Sequence, residues 1–186
     1  KSSWIKKSLE LFSVNKKTKF KKNIISGISI YYLGRQYMVN IVSATEDLIK
    51  MERSKIYLYT NSVKHTARNN LIEEWYTQKA EVVLLKRYNE VLKDFNYKNP
   101  PKLKLRKMKT RFGSFYSNKY IFLNPILIKF PLDCINYVIT HELCHLKYKK
   151  HNEQFYTFLQ RKLPNWKVKK QKLNNFYVKL KFSNFL

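Results

Sequence analysis

The stretch from Thr140 to His151, T-H-E-L-C-H-L-K-Y-K-K-H, constrains this chain more than any other. It reads H-E-x-x-H, with a further histidine six residues on. Two histidines four apart share a face only if the backbone between them is helical. There they sit one turn apart and about 40° round the axis. Imidazoles so placed can bind one tetrahedral zinc ion (Zn2+) from one side. Glu142, beside the first of them, can take a proton from a water polarised by that ion without being a ligand. Chance is a poor account, because three of the chain's four histidines fall in this stretch. With His141 at the origin of a helical wheel, Ile135, Ile139, Leu143 and Leu146 form an apolar stripe about 120–200° away. Thr140 and Lys147 lie on a more polar side. The pattern predicts an amphipathic helix with one face for the core and another for a metal.

A catalytic zinc site keeps an open position beside three protein ligands, whereas a structural site is usually closed by four. One known way to complete H-E-x-x-H takes a glutamate from a distant downstream helix. That way is closed here, since no aspartate or glutamate follows Glu153 up to Leu186. His151 and Glu153 remain as third-ligand candidates. His151 is favoured, because it has the spacing of the elongated motif H-E-x-x-H-x-x-G-x-x-H. Tyr148 stands where that motif has glycine, so the helix must end by another geometry.

The 186 residues suffice for one domain, or one domain with an appendage. The chain opens on Lys1, as expected of a trimmed or processed product, and no long apolar segment follows its basic start as a secretory signal would require. No window is long and apolar enough to span a membrane. Cys134 and Cys144 lie on or near one helix, which suggests small buried thiols rather than a disulfide, and a cytoplasmic setting. The net charge of +26 suggests nucleic acid or nucleotide partners. Yet 31 of the 38 basic residues are lysine and only seven arginine, with alanine and glycine at three each. An AT-rich genome would impose that profile on any protein. The charge attracts polyanions without identifying one as substrate.

Residues 1–22 read as a basic N-terminal arm and 23–186 as a single domain. The arm carries a short apolar group at Trp4, Ile5, Leu9, Leu11 and Phe12. Strands are expected over 24–32, 37–42 and 55–59, with a hairpin turn at Leu33-Gly34-Arg35-Gln36. A long helix is expected over about 62–95, its buried stripe formed by Leu71, Trp75, Val82, Leu85, Leu92 and Phe95, with Asn99-Pro100-Pro101 ending it. A sheet region follows over 102–123, with a turn at 117–119. The metal helix and C-terminal helices are expected over 131–180, Asp133 lying at a positive helix end and Asn152 capping the next helix.

These segments resemble the YgjP-like metallopeptidase family, described as predicted metal-dependent hydrolases. His141-Glu142-Leu143-Cys144-His145-Leu146 with His151 and Phe155 is similar to its metal motif. Lys107-Met108-Lys109-Thr110-Arg111-Phe112-Gly113-Ser114 is similar to its K-M-K-T-R-W-G-S-C segment, with Phe112 for tryptophan and Phe115 for cysteine. Leu163-Pro164-Asn165-Trp166, Leu33-Gly34-Arg35-Gln36-Tyr37, and Trp75-Tyr76 with Ala80 resemble further elements. The resemblance covers roughly residues 24–175. It implies an α+β, zincin-like core: a long helix, a small antiparallel sheet and the active-site helix, preceded by N-terminal strands. It implies a peptide or protein substrate and kinship with SprT-like proteases that act on DNA-bound proteins. Members are also described with a nucleotide-hydrolysing (UTP pyrophosphatase) activity. Arg111, Ser114 and Tyr148 are the candidate substrate-binding residues, Arg111 either stabilising an anionic intermediate or pairing with a carboxylate.

Overall fold

The computed structural model describes residues 23–117 and 119–183. The expected basic arm, residues 1–22, lies outside the described residues. The chain forms strands β1 (Ser29–Tyr32), β2 (Arg35–Val42), β3 (Leu48–Glu52) and β4 (Lys55–Tyr59), then the long helix α1 (His65–Leu92). Strands β5 (Lys102–Leu105), β6 (Gly113–Tyr116) and β7 (Tyr120–Leu123) follow, then a 3-10 turn at Pro125–Lys129. Helices α2 (Leu132–Cys144), α3 (Glu153–Lys162) and α4 (Trp166–Phe182) complete it. The architecture is the α+β arrangement expected.

The first sheet has the order β1-β2-β4-β3, with β2 and β4 parallel and the other pairs antiparallel. Val39, Ile56 and Leu58 of this sheet are fully buried. β3 escapes a pattern reading because it is an edge strand with no buried residue, so its sequence lacks alternation. The β1–β2 turn needs left-handed backbone at Leu33 and Gly34. Its tip docks on the approach to α2: Leu33 and Gly34 donate their N–H groups to Ile128 and Lys129 carbonyls at 2.8 and 3.0 Å.

The second sheet has the order β5-β7-β6, which leaves β6 on an edge. It is mixed rather than wholly antiparallel: β5 runs parallel to β7, and β6 antiparallel to it. After β5 the chain crosses past the β7 position, returns along β6 and inserts β7 between the two, and that path reverses only one pairing.

α1 buries Ile72, Trp75, Tyr76, Ala80, Leu84, Tyr88 and Val91, while Val82 and Leu85 of the expected stripe are exposed. Tyrosines displace the aliphatics because their hydroxyls find partners. Tyr76 donates to the Tyr31 carbonyl at 2.5 Å and Tyr88 to that of Pro101. The helical run also stops before the prolines, through a short 3-10 turn at Lys93–Phe95 and Asn96 in left-handed backbone. Asn152 caps α3 as expected, its side chain accepting from Phe155 N–H at 3.0 Å.

α2 packs against α1, α3, α4, β6 and β7. Ten of its thirteen residues are buried, Thr140 among them. Of the expected polar flank, Lys147 is exposed, but Thr140 is covered by the elements packed round the helix.

Gly34→Ala is expected to cost roughly 3 kcal/mol or more of unfolding free energy, because strain at φ 81° adds to a Cβ placed 2.6 Å from Pro131 Cγ. Gly27→Ala, with φ 86° but open space at the Cβ position, should cost only about 1–2 kcal/mol. Denaturant unfolding of the two variants measures the difference, and equal losses would refute the docking role of the turn.

Candidate metal centre

α2 ends by tightening, not by glycine. The N–H groups of His145, Leu146 and Lys147 bond three residues back, and Tyr148 N–H donates to Cys144 O at 3.0 Å. None of these residues needs left-handed backbone, which is why tyrosine can stand at position 148. The chain then turns so that His151 returns over the helix end.

His141, His145 and His151 offer ligand nitrogens that all lie within 4.8 Å of one another. Nε2 of His151 is 2.9 Å from Nε2 of His141. A tetrahedral zinc with bonds of about 2.0–2.1 Å would hold its nitrogens roughly 3.4 Å apart, so the donor set fits one small cation. Nδ1 of His145 lies 3.0 Å from Tyr148 O. A carbonyl only accepts, so Nδ1 carries the proton and Nε2 keeps the lone pair a metal needs. Phe155, fully buried, sets its ring 4.7–5.0 Å from all three imidazoles and forms one wall of the site. Burial is the main force keeping the imidazoles neutral. It pushes His141 well below its ordinary value, helped by the charges of His145, His151 and Lys170. It lowers His145 against the opposing Tyr148 hydrogen bond, and lowers His151 to about 4. Neutral imidazoles are the form that binds metal.

Glu142 points toward β6. Burial raises its pKa to about 8, opposed by a hydrogen bond from Phe115 N–H and by the charge of Arg111. Gly113 is what lets it lie there: a Cβ at that position would meet Glu142 Cγ and Oε1 at 2.8 Å. The sequence reading did not single out Gly113 as necessary, since a requirement for bare backbone shows only when two distant segments meet.

The other expected residues divide. Arg111 and Ser114 line one open cleft of about 340 Å³ beside β6. Tyr148 contributes its backbone to His145, while its ring packs edge-on to Phe158 and lines a separate cleft with Glu153. Glu153 thus stands outside the group of three histidines, at the start of α3. Tyr156 stacks between His151 and Trp166. The buried Cys134 and Cys144 are both free thiols.

The profile of one protein family, described as YgjP-like, metallopeptidase domain, matches residues 1–176. The chain belongs to the YgjP-like metallopeptidase family. A YgjP-like chain is thereby of a metal-dependent hydrolase class, and its three clustered histidines could hold the ion. No curated protein matches it. Among solved structures, it is similar to the metallopeptidase zymogen abylysin of Pyrococcus abyssi, with 21% identity and a TM-score of 0.46 over 53% of this chain and 95% of that one. It is also similar to the zymogen jannalysin of Methanocaldococcus jannaschii, with 27% identity and a TM-score of 0.41 over 48% and 96%. Among the described residues, no helix is long and apolar enough to cross a membrane.

Two outcomes follow from Glu142. In chelated protein its folded-state pKa of about 8 exceeds the unfolded value. Between the two values the folded state binds more protons, so its contribution destabilises progressively as pH rises and levels off above about 8. Glu142→Gln should remove that decline. Comparing the unfolding of the two proteins between about pH 6.5 and 8.5 isolates it, because the histidine contribution is common to both; parallel curves would refute the burial assignment. Gly113→Ala should lower hydrolytic turnover about a hundred-fold while keeping the metal, by displacing Glu142 about an ångström. Unchanged turnover with full metal content would exclude the glycine as the seat of the carboxylate.

Proposed function

We propose that this YgjP-like protein is a zinc metallopeptidase, with His141, His145 and His151 as ligands and Glu142 as general base. The observation that carries the reading is the convergence of three neutral imidazoles beside the Glu142 carboxyl of α2, which accepts a hydrogen bond from the edge strand β6. An all-imidazole donor set suits zinc, whereas magnesium enzymes acting on nucleoside triphosphates hold their ion through carboxylates and phosphates. That contrast supports amide hydrolysis over the UTP pyrophosphatase alternative.

Bound zinc would supply Lewis acidity, polarising a carbonyl and lowering the pKa of water. Glu142 takes the proton of the attacking water and passes it to the leaving nitrogen. A pKa raised by burial makes it a stronger base, and a neighbouring cation pulls it back toward ionisation at neutral pH. Phe115 N–H fixes one face of the carboxyl, and Arg111 favours its charged form. Among the described residues β6 has a strand partner on one side only; apart from Phe115 N–H, which serves Glu142, its other edge offers backbone groups to which an extended peptide adds as a strand. Two buried free thiols support a reducing, cytoplasmic setting.

The purified protein should carry about one zinc per chain, and His145→Ala should lose it. Glu142→Gln should keep the metal and lose turnover, since it removes the base and no ligand. Metal analysis with peptide and UTP hydrolysis assays on the three proteins decides the matter. Glutamate-dependent turnover of UTP alone would replace the peptidase reading, and full zinc retention in His145→Ala would refute the ligand set.

A further inference from the structure

The cleft beside β6 is lined largely by one continuous segment, and four of its eight lining side chains are the cations Arg106, Lys107, Lys109 and Arg111. Lysine-rich composition does not account for it, because two of the chain's seven arginines fall within this six-residue segment. The segment is also held in place. Asn124, buried, donates from its side-chain amide to the carbonyls of Met108 and Arg111 at 2.7 and 3.0 Å. Its backbone N–H donates to Phe112 O at 2.8 Å, and Arg106 N–H donates to Leu123 O at 2.9 Å. The Arg106 guanidinium lies over the Phe122 ring at 5.7 Å. The backbone that carries the cations is therefore set in position before anything binds, which lowers the ordering cost of recognition.

Their charge is scarcely compensated. Glu73 is 3.7 Å from Lys107 across exposed surface, and such a pair is worth little. Among the described residues no carboxylate lies within ion-pair distance of Arg106, Lys109 or Arg111. The charge of Arg111 reaches Glu142, and Ser114, which lines the cleft, follows Gly113 on β6. The cleft thus opens beside the proposed base. A peptide added to β6 advances about 3.3 Å per residue, so a side chain within about three residues of the scissile bond would enter it.

We infer that this cleft is a specificity subsite for an anionic side chain, carboxylate or phosphate, of a peptide lying along β6. The inference rests on the peptidase reading above. Guanidinium groups suit both anions, since their paired N–H groups match two oxygens at once.

The test uses zinc-loaded protein and quenched fluorescent peptides differing at one residue, with Asp, phosphoserine, Asn or Lys placed in turn at each position flanking the scissile bond. At one position an acidic residue should raise kcat/KM about ten-fold over Asn, and the ratio should collapse in Arg106→Gln/Lys109→Gln. The Asp and phosphoserine arms separate carboxylate from phosphate. Lys50→Gln/Lys86→Gln makes the same charge change on other faces and should keep the ratio, which excludes general attraction to a basic protein. An absent preference, or one that survives in Arg106→Gln/Lys109→Gln, overturns the subsite. Should no peptide be cut, the peptidase reading fails separately, and anisotropy binding of the same peptides then decides the subsite. Acidic peptides binding about ten-fold tighter through Arg106 and Lys109 would uphold it. Equal binding of acidic and neutral peptides would overturn it, as would an oligonucleotide that binds through these residues while the peptides show no difference.

Discussion

Glu142 and two imidazoles are buried in the last turn and C-terminal cap of α2, and the rest of the fold answers to that burial. An unpaired carboxylate in such a place would cost several kcal/mol. The chain meets this cost locally. Burial raises the carboxyl's pKa, a backbone N–H of β6 donates to it, and Arg111 supplies opposite charge nearby. The same desolvation keeps the histidines neutral, which is the state required for a cation to gather them. One physical condition, the exclusion of water around α2, thus prepares both the base and the ligands.

Three contacts position that helix. The β1–β2 turn presses Gly34 on Pro131, immediately before α2. α1 lies along α2 through a stripe that admits tyrosines, because their hydroxyls satisfy buried carbonyls of Tyr31 and Pro101. Asn124 ties the basic segment to the end of β7, which sets β6 against Glu142. Each contact joins residues far apart in sequence, and each depends on one polar or bare-backbone group at a fixed point.

Some of this was legible in the chain and some was not. The H-E-x-x-H helix, the capping role of Asn152 and the clustering of His151 with the other two histidines follow from spacing and local chemistry. β3 was not legible, since an exposed edge strand leaves no alternation. The stripe on α1 was misread at Val82 and Leu85 because hydrophobicity alone cannot tell that a tyrosine will find a carbonyl. Thr140 looked polar and is buried, because which faces of α2 its neighbours cover is a property of the assembly.

By itself the sequence determined the chemistry on offer: two imidazoles and one carboxylate at helical spacing, a third imidazole six residues on, and no acid beyond Glu153 to compete with it. Spacing along a helix is a local property, so it survives in one dimension. The tertiary structure decided what that chemistry faces. Only the meeting of β6 with α2 made Gly113 the seat of Glu142, and only the clamp of Asn124 turned a run of cations into a cleft beside it. Such contacts depend on distances between segments that the order of residues does not contain.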